Sequence, residues 1–157
     1  MVISKPKIIF NRNSIPQVDL NFMNKTHFEE VEMVKELGDL ITSCQECSDN
    51  NKSNEITKTL KNWFKHTEAH FARENALMLK THFPAHSIHS QEHESALNML
   101  STIINEWQAG HNLDALAEYV FVSWPNWFNR HVDTMDTITA HFAVMNGYTE
   151  ENETRDN

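Results

Sequence analysis

The chain has 157 residues, a formal net charge of −9 with histidines neutral, and only three Gly, four Pro and two Cys. That length suits one domain with a sizeable core, and an acidic balance without any run of Lys or Arg argues against nucleic acid as a partner. No apolar run approaches the roughly 20 residues that span a bilayer, the opening MVISKPKIIF is too short and interrupted for a signal peptide, and two cysteines exclude a disulfide scaffold. A soluble, cytoplasmic protein with no membrane partner is expected.

Stretches rich in Leu, Met, Glu, Lys and Ala between the few Gly and Pro predict an all-α protein. Residues 1–17 lack clear periodicity and read as an N-terminal arm laid over the domain. From Val18 to about Thr42, Leu20, Met23, Val31, Val34, Leu37 and Ile41 recur at three- to four-residue steps, which predicts the first helix. Cys47 to Asn54 reads as a polar loop, and Ile56, Leu60, Trp63, Phe64, Phe71 and Leu77 carry a second helix to about Leu79, before Pro84 interrupts.

A third helix is predicted from about Ser87 to Trp107 and ends around Gly110. The fourth runs from about Leu113 to Met145, with a kink or short break near Trp124 because Pro125 lies inside it. The acidic residues 146–157 read as a flexible tail. Four helices joined by short loops over residues 18–145 predict a single domain, an up-down-up-down four-helix bundle.

Histidine sets this chain apart from an ordinary bundle. Six of the ten histidines form three H-x-x-x-H pairs, where random placement gives about 0.6 pairs. Every predicted helix carries potential ligands near its middle: His27 on the first, His70 and Glu74 on the second, His89 and His93 on the third, His131 and Asp136 on the fourth. Burying five imidazoles and two carboxylates without partners would cost several kcal/mol per group, which metal ions would offset. Imidazole and carboxylate without thiolate suit Fe, Mn, Zn or Cu. Seven ligands are too many for one tetrahedral zinc and natural for two bridged ions. The ferritin-like Glu-x-x-His pattern and H-E-x-x-H are both absent.

HFARE, HSQEH and HVDTMD, preceded by His27, resemble the H…H-x-x-x-E…H-x-x-x-H…H-x-x-x-x-D signature of the hemerythrin family over residues 18–145. The resemblance implies two iron ions, one held by His89, His93 and His131 and the other by His27 and His70. Glu74 and Asp136 would bridge them with an oxo or hydroxo group, and dioxygen would bind at the open place on the His27/His70 iron. Its preferred implication is a non-enzymatic carrier, store or sensor of oxygen. The alternatives are a di-iron oxidase or peroxidase, a nitric-oxide-handling protein, or iron storage. Asn24 stands where many bacterial members carry an acidic residue, and the five-residue step from His131 to Asp136 is about 140° off a shared face on a regular helix. Pro125 or a π-bulge could help the aspartate reach.

The remaining histidines read as bystanders. His66 lies one turn before His70 and suits a supporting or solvated position; His82 and His86 flank Pro84, His111 falls in a loop, and His141 lies beyond Asp136. The CQEC pair, Cys44 and Cys47, has no second pair to complete a zinc site. Trp63, Phe64, Trp124, Trp127 and Phe128 read as core.

Overall fold

The computed structural model describes residues 14–46 and 49–150. Among them every regular element is helical, and no helix is long and apolar enough to cross a membrane. Helix α1 spans Asn21–Glu46, α2 Asn50–Lys80 and α3 His86–Gly110. The fourth helical stretch is built from α4 (Leu113–Glu118), a π turn π1 (Tyr119–Ser123), α5 (Trp124–His131), a second π turn π2 (Val132–Asp136) and α6 (Thr137–Met145).

On α1 the predicted stripe of Met23, Val31, Val34, Leu37 and Ile41 is buried, and the helix runs one turn past Thr42. Its first turn is capped from far along the chain: the Phe22 N–H donates to Glu150 Oε1 at 2.8 Å. Helix α2 begins inside the segment expected to be a loop. Asp49 is the reason, since its side chain accepts from the Asn51 N–H at 3.0 Å and so satisfies a first-turn donor at the head of the segment. Helix α3 ends on a left-handed residue, but that residue is His111 (φ 50°) rather than Gly110.

The expected break at Pro125 takes another form. The backbone stays right-handed helical through Ser123, Trp124 and Val132, and the turn before the proline is π-helical. Proline removes an N–H and crowds the carbonyl four residues back; a π turn ahead of it widens the helix where that carbonyl lies.

Helix α1 packs on α2, α2 packs on α3, and the fourth stretch contacts α1, α2 and α3, so the helices form a bundle. Trp63, Phe121, Leu37, Ile41, Leu60 and Leu116 fill its interior. Most of the expected N-terminal arm, residues 1–13, lies outside the described residues, whereas Ile15, Val18 and Leu20 belong to the core. The expected tail is described to Glu150; within it Tyr148 is buried against the same core.

Candidate metal centre

The seven residues singled out by sequence come together from α1, α2, α3 and the fourth stretch, and none is more than 6 % exposed. Burial follows from the helical repeat, because on α2 His70 and Glu74 continue the stripe of Ile56, Leu60, Trp63 and Thr67. Two groups form: Glu74, His89, His93, His131 and Asp136 have ligand atoms within 4.8 Å of one another, as have His27, His70, Glu74 and Asp136. The two carboxylates belong to both.

Each carboxylate faces both ways. Asp136 Oδ1 lies 3.1 Å from His89 Nε2 and from His131 Nε2, while Oδ2 lies 3.0 Å from His27 Nε2. Glu74 Oε1 lies 3.3 Å from His93 Nε2, and Oε2 lies 2.5 Å from His70 Nε2. Asp136 reaches this position because π2 absorbs an extra residue between it and His131. Thr137 closes the wider turn, its hydroxyl donating to the Val132 carbonyl at 2.8 Å.

The outer nitrogens set the tautomers. His70 Nδ1 donates to Glu30 Oε2 at 2.9 Å, His93 Nδ1 to Asn75 Oδ1 at 3.2 Å and His131 Nδ1 to Glu92 Oε1 at 3.0 Å, while His89 Nδ1 lies 2.7 Å from the Thr139 hydroxyl. With Nδ1 carrying the proton, Nε2 presents a bare lone pair. The Nε2 atoms of His89 and His93 each lie 3.2 Å from that of His131, an arrangement of like lone pairs that a cation between them satisfies. His27 Nε2, Glu74 Oε1 and both oxygens of Asp136 are buried without a hydrogen-bond partner. Buried polar atoms are seldom left so. The donor set and its orphaned atoms fit a bound metal cation.

Electrostatics agree with ionised carboxylates. Burial pushes Glu74 up, but His70, His27 and His93 hold it well below the usual carboxylate range. Burial pushes His27 down, and the adjacent carboxylates of Asp136 and Glu74 outweigh it, raising the imidazole to about 9. Aromatic rings wall the cluster: Phe71 stacks on His93 with centroids 3.9 Å apart, Trp127 stacks on His131 at 4.7 Å, and Phe128 meets His27 edge-on at 5.7 Å.

The bystanders stay outside. His66 pairs with Glu29 at 3.5 Å and His141 with exposed Asp19 at 2.9 Å; His82 and His111 are exposed, and His86 is half-buried. Cys44 is a buried free thiol, and Cys47 lies outside the described residues. Trp63, Trp124 and Phe128 are core, as expected, whereas half-buried Trp127 also touches the cluster. Sequence reasoning missed Glu30, Asn75, Glu92 and Thr139. Only Glu30 left a signal: it interrupts the apolar stripe of Met23, Val31 and Val34 with a charge that the buried face could not hold alone.

The family model of the hemerythrin HHE cation-binding domain matches residues 20–142. The chain belongs to the hemerythrin family. A bacteriohemerythrin of Ralstonia nicotianae is 34% identical over 82 residues, 52% of this chain and 58% of the relative, so the chain spans less than two thirds of that protein. A bacteriohemerythrin of Aquifex aeolicus is 23% identical over 133 residues, 85% of this chain and 96% of the relative. No solved structure matches significantly. The family is one of di-iron, oxygen-binding proteins.

Proposed function

We propose that this hemerythrin-family chain folds as one up-down-up-down bundle over residues 18–145 and holds two iron ions. His89, His93 and His131 hold one ion, His27 and His70 hold the other, and Glu74 and Asp136 bridge them. The observation that carries this reading is that each of the two carboxylates aims one oxygen at each histidine group. Three histidines on one side against two on the other leave the His27/His70 side free to take a small ligand.

When bound, a ferrous pair supplies the electrons for reversible dioxygen binding. The protein's own part is to hold five Nε2 lone pairs inward and to keep water out with Phe71, Trp127 and Phe128. Water exclusion favours a reversible role as carrier, store or sensor over turnover, and the buried free thiol of Cys44 accords with a reducing cytoplasm. Elemental analysis of protein purified from iron-replete cells is expected to give two irons per chain. One zinc and no iron would overturn the assignment. Stopped-flow mixing of the reduced protein with oxygen is expected to give a spectrum that reverses under vacuum; consumption of a reductant instead would identify an oxidase or peroxidase, and a stable nitric oxide adduct without oxygen reversal a nitric-oxide-handling protein.

A further inference from the structure

Glu30 is a buried carboxylate outside the seven, 2 % exposed. Both of its oxygens are engaged as acceptors: Oε1 receives Trp63 Nε1–H at 3.1 Å and the Thr67 hydroxyl at 2.8 Å, and Oε2 receives His70 Nδ1–H at 2.9 Å. The indole donates only, so Oε1 must accept. His70 is backed differently from its counterparts. His89 and His93 meet neutral groups, His131 meets a carboxylate whose side chain is 26% exposed, and His27 Nδ1 is buried with no hydrogen-bond partner. The one fully buried outer carboxylate therefore stands behind the half with fewer histidines. Glu30, Glu74, Glu92 and Asp136 together bring four negative charges, which match two divalent cations bound by neutral imidazoles.

We propose that Glu30 is the positioning residue of the His27/His70 half of the centre. It holds the proton on His70 Nδ1, so that Nε2 faces the site as a lone pair, and it places a buried negative charge behind that ligand. The proposal rests on the metal-centre reading above. Its logic is one of acceptor count. In Glu30→Gln the new amide has the same shape but a single acceptor oxygen. With that oxygen turned to Trp63 and Thr67, its NH2 meets His70 Nδ1, which must then accept, and the ring proton moves to Nε2, where it blocks a cation. With the oxygen turned to His70, the NH2 meets the indole N–H in a buried space. Trp63→Phe removes that conflict, because the amide can then face His70 with its oxygen and the Thr67 hydroxyl with its NH2.

The test is cobalt(II) titration of the metal-free wild type, Glu30→Gln, Trp63→Phe and the double variant, followed by visible absorption. Glu30→Gln is expected to bind one of two cobalt ions about 10- to 100-fold more weakly, the usual range for losing an outer partner of a histidine ligand. Trp63→Phe is expected to keep both ions, and the double variant to recover most of the loss. Truncating a core tryptophan can only worsen a packing defect, so recovery is a result that a merely structural role for Glu30 does not give. Wild-type affinity in Glu30→Gln, or a double variant no better than Glu30→Gln, would overturn the proposal. Should Glu30→Gln fail to fold, the double variant decides alone: two cobalt ions bound within about tenfold of wild type support the proposal, and loss of one overturns it. A wild type that takes up no cobalt would sink the metal-centre reading itself, a different result.

Discussion

His131 and Asp136 lie five residues apart in the chain, yet His131 Nε2 and Asp136 Oδ1 are 3.1 Å apart because the helix between them makes one π turn. On a regular helix that step would leave Asp136 about 140° away. Inserting one Ala after exposed Thr134, inside π2, adds a residue beyond the one the π turn absorbs and is expected to swing Asp136 by about 100°. Metal content should fall below two ions per chain while circular dichroism stays helical. Unchanged metal content would mean that the register of Asp136 against His131 is incidental to the site.

His66, His70 and Glu74 share a face of α2, but only the last two enter the cluster. Replacing His66 by Ala removes a partly exposed pairing with Glu29 and is expected to cost at most about 1 kcal/mol and no metal. Glu74→Ala is expected to lose the metal, since it removes an oxygen from both sides and leaves two cations less shielded from one another. Metal content and the visible spectrum of the two variants, prepared side by side, check this; equal loss in both would put His66 among the ligands.

Acidity offers a test with two opposite signs. In protein stripped of metal, His27 lies between Asp136 and Glu74 with its pKa raised from 6.5 to about 9. A raised folded pKa gives stability that is fully present below 6.5 and lost as pH rises through about 9. Metal binding runs the other way, because imidazole must be deprotonated to ligate. The melting temperature of the metal-free protein is therefore expected to fall across that window while metal affinity climbs. A metal-free protein that grows more stable over the same range would contradict the buried ion pairing of His27.

Phe128 is 3 % exposed and sets its ring edge against His27. Phe128→Ala is expected to cost about 3–5 kcal/mol in stability and to admit water beside the half of the site proposed to take oxygen. Thermal melts read the first effect, and the lifetime of the oxygenated protein after mixing reads the second. A lifetime equal to that of wild type would show that this ring does not keep water out.

Much of the fold was readable from period and punctuation. The stripes on α1 and α2 lie where the three- to four-residue spacing of Val31, Val34, Leu37, Ile56 and Leu60 put them. The start of α2 was not, since a cap by Asp49 depends on local geometry that a run of Asn, Ser and Lys conceals. The seven clustered residues were visible because ligand spacing obeys the helical repeat within each element. Their outer partners were hidden because Glu92 and Thr139 contact residues about forty to fifty positions away, a relation set by helix packing. Asn24, which stands where a family acid was expected, binds the Val18 backbone through both its amide atoms. The acid that supports this end of the cluster is Glu30, three residues after His27 rather than three before.

Stacked rings and engaged outer nitrogens leave the imidazoles little freedom to swing. His93 is held on its face by Phe71 and at Nδ1 by Asn75, and His131 in the same manner by Trp127 and Glu92. Neither ring can turn away from the centre unless α2, α3 and the fourth stretch first move apart. Exchange of a bound cation is then timed by the opening of the bundle. Two variants with equal affinity can thus differ widely in how long they retain the ion, and the one that breathes more slowly in amide hydrogen exchange keeps it longer.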